Sequence, residues 1–296
     1  PALYEGVAAD ASAPIVDRTT RQLVMGCEFA ARLTCRAQDP ALQRHLGAIN
    51  GFFDNAASVS LVEMSQDQRR WLLWVEGPVE AGGYYLYDRD ARSVEVLVQA
   101  HPTLSSAALS NVEVVNYQSR DGVQLWAYVT RPNGAQGPRP TVIMPHGGPE
   151  SRDYFGFDSF AQFLASRGYV VVQPHFRGSL GSGRAFADAG RGQWGQRMQD
   201  DLSDAVQHVI TAGLADPARI CIVGASYGGY AALAGAAFTP DLYRCAVSIA
   251  GVSDLPDFLR AGFFVRIDVD LRVVGDDPLV HRHPVVERDP GLHPAL

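Results

Sequence analysis

The stretch at residues 219–230, RICIVGASYGGY, decides the fold of this chain. Its apolar run, residues 220–223, predicts a buried strand, and the small residues that follow predict a helix. Between them, Gly-x-Ser-x-Gly places Ser226 at a sharp turn from strand to helix. The flanking glycines are needed there because a Cβ would collide with the neighbouring strand and helix. From this stretch alone two interpretations stay open: a serine lifted above the sheet edge for nucleophilic attack, or a serine that only caps the helix.

The composition is that of a globular protein with an acidic balance. The 296 residues are 47% hydrophobic and 19% charged, with a net charge of -7. This charge argues against nucleic acid or anionic membrane as a main partner. No apolar run approaches the roughly 18 residues of a membrane-spanning helix, and no signal-peptide pattern is visible. We therefore expect a cytoplasmic protein with neither partner, and the sequence leaves the oligomeric state open. Because the chain opens on Pro1 without Met, we also expect it to begin inside a longer protein.

The four cysteines show no C-x-x-C spacing and do not predict a disulfide framework in a chain of this length. Cys221 and Cys245 lie in apolar, strand-like runs, so we expect small core residues. Cys27 and Cys35 are close enough in sequence to pair, but we expect two reduced thiols.

Residues 1–110 predict short β segments. Runs at 70–75, 83–88 and 94–98 are separated by turn sequences such as Gly77-Pro78. Three strands in about 30 residues are similar to one blade of a β-propeller. A blade needs roughly 40 residues and a propeller at least four blades, so this segment is too short to close a ring. The alternative is a small meander packed on the main domain.

From residue 111 the pattern changes to alternating strands and helices. Two strands surround the hairpin signal Asp121-Gly122. Continuous apolar strands separated by helices then predict a mostly parallel sheet, with right-handed crossovers and helices on both faces. The predicted elements are strands at 141–144, 169–174, 220–223 and 244–251 and helices at 157–166, 201–214 and 228–238.

Five motifs in this region, in family order and spacing, resemble the prolyl oligopeptidase family of serine peptidases. They are HGGP at 146–149, FRGS at 176–179, QWG at 193–195, MQDD at 198–201 and GASYGGY at 224–230. The resemblance is nearest to the acylaminoacyl-peptidase and dipeptidyl-peptidase branch. It implies an α/β-hydrolase fold, a mostly parallel doubly wound sheet, preceded by a partial β-propeller-like all-β segment. The expected domains are that segment and a linker at 1–110, a C-terminally incomplete peptidase domain at 111–260, and an atypical tail at 261–296.

The resemblance implies that Ser226 forms an acyl-enzyme on a small peptide substrate, with no cofactor and no metal. Attack on an amide carbonyl places negative charge on its oxygen, and two backbone N–H groups can hold that charge. We expect one from Tyr227, directly after the serine, and the other from Gly148 in the HGGP loop. A neutral serine also needs a neighbouring base.

The other polar residues near these motifs are predicted to be structural. Because the triad of this fold runs Ser, then Asp, then His along the chain, His146 is expected to be a turn residue that hydrogen-bonds its loop. His175 is expected to be scaffold and Arg177 to brace loops by hydrogen bonds. The remaining assignments are Asp200, Asp201 and Asp204 as acids at the start of a helix, and Trp194 as a packing residue.

The family pattern breaks in the tail. It implies an acid roughly 80 and a histidine roughly 110 residues after the serine, but only 70 residues follow Ser226. The tail lacks room for the missing strand and helix and lacks metal-ligand spacing, so we expect neither a complete triad nor a metal site in it. A carboxylesterase and a non-catalytic fragment stay open as alternatives. The tail candidates for acid and base are Asp276, Asp277, His281, His283 and His293.

Overall fold

The structure is a computed structural model, and it describes residues 10–16 and 21–261. Within these residues the chain forms thirteen strands and six α-helices. In chain order they are β1 (Asp10–Val16), β2 (Leu23–Phe29), β3 (Leu33–Ala37), α1 (Pro40–Phe52), β4 (Ser58–Met64), β5 (Arg70–Gly77), β6 (Glu80–Asp88), β7 (Ser93–Gln99), β8 (Val112–Gln118), β9 (Gln124–Thr130), β10 (Arg139–Ile143), α2 (Ser159–Ser166), β11 (Val170–His175), α3 (Arg184–Asp188), α4 (Arg197–Thr211), β12 (Ala215–Ala225), α5 (Tyr227–Phe238), β13 (Cys245–Ile249) and α6 (Leu255–Ala261).

The N-terminal part contains two antiparallel sheets. Strands β1, β2 and β3 form the first, and β4, β5, β6 and β7 form a second in which each strand pairs with the next along the chain. Along β5 the side chains of Trp71, Leu73 and Val75 are fully buried, while the residues between them are more exposed. The second sheet therefore has the strand arrangement expected of one blade, with β4 as a fourth strand that the sequence analysis did not predict.

Helix α1 lies between these sheets, where only β segments were expected. The side chain of Asp39 caps it by accepting a hydrogen bond from the Ala41 N–H at 2.8 Å, and Pro40 occupies its first position. The buried face of α1 packs on the blade-like sheet. The expectation of an all-β N-terminal segment is therefore wrong at this helix.

The third sheet has six strands in the order β13-β12-β10-β11-β9-β8. Neighbours from β13 to β11 pair in parallel, and β9 and β8 add an antiparallel edge. Helices α2, α4 and α5 contact these strands. This arrangement confirms the predicted α/β-hydrolase fold. None of the helices in the described ranges is both long and apolar enough to cross a membrane.

The first, three-stranded sheet is fastened to the third one through the loop that follows β10. The guanidinium of Arg152 is buried and donates hydrogen bonds to the carbonyls of Phe29 at 3.0 Å and Ala30 at 2.5 Å. The Tyr128 hydroxyl donates to the carbonyl of Ala31 at 2.6 Å. The turn between β2 and β3 is thus held by Tyr128 of the larger sheet and by Arg152 of the loop after β10.

All four cysteines are paired, so the expectation for them was wrong. Cys27 and Cys35 lie opposite each other on the antiparallel strands β2 and β3 and form a disulfide. Cys221 and Cys245 are direct partners on the parallel strands β12 and β13 and form a second. Strand register, which brings each pair of Cα atoms within 4.7 Å, decides the pairing.

Candidate active site

Ser226 lies alone between the end of β12 and the start of α5. Its backbone has φ 55° and ψ −118°, a conformation that is strained for a residue with a side chain. The strain is held by two backbone hydrogen bonds of 3.0 Å, from the Ser226 N–H to the Ile249 carbonyl and from the Tyr230 N–H to the Ser226 carbonyl. The serine is exposed, and its side chain makes no capping hydrogen bond to the helix. The interpretation of Ser226 as a helix cap is therefore wrong.

The glycines around Ser226 are required by close backbone contacts. A Cβ at Gly224 would overlap the backbone of Gly228, and a Cβ at Gly228 would overlap the carbonyl oxygen of Pro145. The turn at Ser226 is therefore in close contact with the loop that follows β10 and with its own helix α5. This is the collision that the sequence pattern predicted.

The HGGP loop lies beside the serine. A Cβ built on Gly147 would lie 3.5 Å from the Cβ and 4.0 Å from the Oγ of Ser226. The next residue, Gly148, has φ 119°, which favours glycine, and its N–H makes no hydrogen bond within the described residues. Tyr227 occupies the first position of α5, where a helical N–H has no partner in its own helix. Tyr227 therefore follows Ser226 directly in the chain, and Gly147, which precedes Gly148, lies beside Ser226 in space.

His146 makes hydrogen bonds within the loop, as predicted. Its Nδ1 lies 2.7 Å from the carbonyl oxygen of Gly147, and its Nε2 lies 2.8 Å from the Oγ of Ser179. The ring stacks on Phe176 with centroids 4.4 Å apart. Burial lowers the pKa of His146 to about 4, so the ring is neutral at pH 7. The link to Ser179, 33 residues away, had no signal in the sequence.

His175 is a buried scaffold residue, as expected. Its ring lies between Trp126, at 4.1 Å, and Phe186, at 5.4 Å, and its Nε2 is 3.0 Å from the Oγ of Ser182. Burial lowers the pKa of His175 to about 2. The neutral imidazole is covered on both faces at the end of the inner strand β11, and its Nε2 is already in contact with Ser182.

Arg177 braces three elements, as predicted. Its backbone N–H donates to the Asp201 carboxylate at 2.9 Å, and its guanidinium donates to both Asp201 and Asp121. Hydrogen bonds from Arg177 hold the pKa of Asp121 well below its usual range. Burial raises the pKa of Asp201, and the hydrogen bonds from Arg177 oppose that shift. The loop after β11 is thereby tied to the β8–β9 hairpin and to α4.

The three acids predicted as a helix-start cluster divide into two roles. Asp200 and Asp204 accept hydrogen bonds from the partly exposed guanidinium of Arg120 at 2.8 and 2.9 Å. Asp201 is fully buried and pairs with Arg177 instead. All three acids lie in the first half of α4, as predicted, and Asp201 differs from the other two because it is buried.

Aromatic rings surround the start of α5. Trp194 contacts Tyr227 edge to face at 4.7 Å and Tyr230 at 5.2 Å, and Phe258 of α6 stacks at 6.4 Å. This confirms Trp194 as a packing residue. Burial strongly raises the pKa of Tyr227, whose hydroxyl has no hydrogen-bond partner in the described part of the chain.

The acid and base candidates of the tail all lie outside the described residues. These are Asp276, Asp277, His281, His283 and His293. Within residues 10–16 and 21–261, the Oγ of Ser226 forms no hydrogen bond to a base.

Comparison with known proteins places these features in a family. Residues 155–261 match the model described as the prolyl oligopeptidase family. Dipeptidyl aminopeptidase BIII of Pseudoxanthomonas mexicana is 35% identical over 99% of this chain and 45% of its own length. Dipeptidyl peptidase family member 6 of Caenorhabditis elegans is 32% identical over 70% of this chain and 31% of its own length. The chain therefore spans less than half the length of these curated relatives.

Solved structures agree with the sequence comparisons. A puromycin-hydrolyzing peptidase of Mycobacterium tuberculosis superposes with a TM-score of 0.59 and 32% identity, over 65% of this chain and 30% of the other. A structure from a study of two prolyl endopeptidases superposes with a TM-score of 0.66 over 85% of this chain and 37% of the other. At 21% identity, the second likeness concerns the fold alone.

Proposed function

Because residues 155–261 belong to the prolyl oligopeptidase family, we propose that this protein hydrolyses peptide bonds of short peptides through an acyl-enzyme on Ser226. Two relatives of this chain are named dipeptidyl aminopeptidase and acylamino-acid-releasing enzyme, and these names refer to a dipeptide and to an acylated amino acid. The proposed substrates are accordingly short peptides from which a dipeptide or an acylated amino acid is removed.

The observation that carries the proposal is the state of Ser226. It is an exposed serine at φ 55° whose hydroxyl does not cap the helix that it precedes. Backbone strain of this kind persists only where the surroundings enforce it, and it is concentrated at functional sites. In the proposed reaction the Oγ attacks the scissile carbonyl carbon and the amine leaves with a proton. Water then hydrolyses the ester formed on the serine.

The N–H groups of Tyr227 and Gly148 are proposed to hold the charge that develops on the carbonyl oxygen. Tyr227 follows Ser226 in the chain, and Gly148 follows Gly147, which lies beside Ser226. Neither N–H donates a hydrogen bond to another described residue. Removal of one such donor typically costs about 3 kcal/mol of transition-state stabilisation.

We further propose that the described residues provide the nucleophile and the oxyanion donors without a complete proton relay. Binding and the oxyanion hole alone retain roughly 10³–10⁴-fold acceleration over water when a triad is broken. Ser226 should then react faster than an ordinary exposed serine but slowly for a serine peptidase.

A fluorophosphonate probe tests this proposal on the chain as it stands. We expect covalent labelling of Ser226, located by peptide mass spectrometry and abolished by Ser226→Ala. Ser159→Ala, which alters another exposed serine, should leave the labelling unchanged. Equal labelling of Ser226 and Ser159 would overturn the assignment of the nucleophile, and labelling as fast as that of an intact serine peptidase would overturn the incomplete relay.

Matched substrates separate a peptidase from a carboxylesterase. A dipeptidyl anilide and the ester with the same acyl group differ only in the bond that is cleaved. We expect turnover of both, dependent on Ser226. Ester cleavage with no Ser226-dependent anilide cleavage would favour the esterase.

A further inference from the structure

The carboxyl group of Asp153 lies in the loop that follows β10, and one of its oxygens has no partner. The Oδ2 atom is buried and makes no hydrogen bond within the described part of the chain. Removing a carboxylate oxygen from water without a compensating donor costs free energy, and a group in that position lowers the cost by binding a proton. The environment of Asp153 therefore favours the neutral, protonated form.

A second carboxyl group nearby adds to this preference. Asp158 caps α2, because its Oδ1 accepts a hydrogen bond from the Ala161 N–H at 2.8 Å, and its Oδ2 accepts from the Gln173 side-chain amide at 3.3 Å. Two donors thus stabilise a negative charge on Asp158, and that charge opposes a second one on Asp153.

The groups that act on Asp153 come from three sides. Burial and then the charge of Asp158 raise the pKa of Asp153 to about 7, while a hydrogen bond from Gln173 on β11 and the charge of Arg152 oppose the shift. On β9, burial raises the pKa of Tyr128 to about 12, so this hydroxyl is neutral at pH 7.

The neighbouring cation, Arg152, is held by neutral acceptors. Its buried guanidinium donates to the carbonyl oxygens of Phe29, Ala30 and Asp153 itself, the last at 3.1 Å. It also lies over the rings of Phe29 and Tyr154, 4.8 and 5.3 Å from their centroids. Arg152 and Asp153 are thus adjacent in sequence, yet the guanidinium is directed to the turn between β2 and β3.

Ionisation of Asp153 would change what competes for this guanidinium. A carboxylate can accept two parallel hydrogen bonds from an arginine, which a single carbonyl cannot match. Any movement of Arg152 toward an ionised Asp153 takes its donors away from Phe29 and Ala30. The turn would then keep the hydrogen bond from Tyr128 to the Ala31 carbonyl.

We propose that Asp153, kept protonated beside Asp158, is a pH-sensitive switch that leaves Arg152 bound to the turn between β2 and β3, and that ionisation of Asp153 weakens this attachment. The same loop carries Gly147 and Gly148, so acidity would control how firmly the first sheet is joined to the segment beside Ser226. This inference does not depend on any reaction at Ser226.

The direction of the effect follows from the proton balance. Between about pH 4, the ordinary value for an aspartate, and about pH 7, the attached form binds one proton more than a form with an exposed Asp153. The attachment is therefore complete below this range and weakens as the pH rises, by up to about tenfold in its equilibrium constant per pH unit. Above about pH 7 no further change is expected.

Carbon-13 NMR of the full chain tests the switch directly. The carboxyl carbon of Asp153 should titrate near pH 7, and the backbone carbonyl carbons of Phe29 and Ala30 should shift with the same midpoint. In Asp153→Asn, which imitates the protonated form, these two carbonyls should keep their shifts throughout. Asp241→Asn, which alters an exposed acid, should behave as the wild type does.

Asp158→Asn isolates the second carboxyl group, because Asn keeps an oxygen that can cap α2 but removes the charge. We expect the midpoint of Asp153 to move to lower pH in this variant. An unchanged midpoint would overturn the proposal. So would titration of Asp153 near pH 4, or titration near pH 7 while the carbonyl shifts of Phe29 and Ala30 stay constant.

Urea unfolding gives an independent measurement. The unfolding constant of the wild type should rise relative to that of Asp153→Asn by up to about tenfold per pH unit between about pH 4 and 7. The buried imidazoles titrate in both proteins and cancel in this ratio. A ratio that does not change with pH would overturn the proposal.

The same carbonyl signals distinguish a proton from a metal cation. Sodium, magnesium and calcium chloride are added in turn at about pH 8 to the wild type and to Asp153→Asn. No cation should restore the low-pH shifts of Phe29 and Ala30. Restoration in the wild type alone would show that the two carboxyl groups hold a cation, and the proton switch would be overturned.

Discussion

Arg177 binds Asp201 through its backbone N–H and its guanidinium together, and the two side chains are 4% and 0% exposed. The pair links the loop after β11 to α4, across 24 residues of sequence. Because the same loop carries Ser179, which binds His146, the support of the candidate site reaches into the core through this ion pair.

Removal of one partner should therefore be costly. Asp201→Ala leaves the buried guanidinium of Arg177 with Asp121 as its one charged partner among the described residues, and we expect the free energy of unfolding to fall by about 3–5 kcal/mol. Asp200→Ala breaks a largely exposed pair with Arg120 and should cost at most about 1 kcal/mol. Urea unfolding of both variants checks this prediction, and similar losses would contradict it.

The turn around Ser226 should not tolerate a methyl group at Gly228. The Cβ of Gly228→Ala would overlap the Pro145 carbonyl oxygen, and we expect a loss of about 3 kcal/mol together with loss of Ser226 labelling. Gly47→Ala, within α1, meets no atom within 4 Å and should be neutral or stabilising by up to about 1 kcal/mol. Thermal unfolding compares the two, and a Gly228→Ala protein as stable as wild type would contradict the contact.

Because all four cysteines are paired, we expect a thiol assay of the denatured, unreduced protein to detect no free thiol. The Cys221–Cys245 bond closes the longer loop, so Cys221→Ala with Cys245→Ala should lower the free energy of unfolding by about 3 kcal/mol. The Cys27 and Cys35 pair spans 8 residues and should contribute somewhat less. Thiol titration and denaturant unfolding test this, and four reactive thiols would contradict the pairing.

The two buried imidazoles should make stability depend on acidity. Burial lowers the pKa values of His146 and His175 to about 4 and about 2, below the value near 6.5 of an unfolded chain. Between about pH 6.5 and 4 the unfolded state binds more protons, so stability is complete above this range and declines as the pH falls through it.

His175→Phe keeps a ring between Trp126 and Phe186 while removing one titrating group. In this variant the slope of the unfolding free energy against pH should fall by up to about 1.4 kcal/mol per pH unit. This is the slope produced when the unfolded state binds one proton more than the folded state. Urea titrations at several pH values measure the slope. An unchanged slope would show that His175 is already charged when folded.

Much of the larger sheet was predictable because its local signals agree with its packing. The apolar run before Ser226, the hairpin at Asp121-Gly122 and the helix at 228–238 all appear near the predicted places. Helix α1 also had a signal, an Asp39-Pro40 start followed by Leu42, Leu46 and Ile49 at helical spacing, which turn-rich surroundings obscured.

The relationships that were missed all depend on distance in space. Cys221 meets Cys245 only because two parallel strands align in register, and neither cysteine has a local mark of pairing. Asp201 has the same sequence surroundings as Asp200, and only the rotation of α4 decides which acid is buried. Sequence therefore predicted the position of Ser226 and the bracing role of Arg177, but not Asp201 as the partner of Arg177.

The hydrogen bonds from Arg152 to the turn between β2 and β3 limit where this chain can be cut into separate fragments. Its guanidinium finds two carbonyl acceptors more than 120 residues earlier, at Phe29 and Ala30. A laboratory fragment that starts at residue 111 would leave the Arg152 guanidinium without these two acceptors, in the same loop that carries Gly148. In evolution, too, a graft of this sheet onto another N-terminal module would have to bring the turn along or replace Arg152.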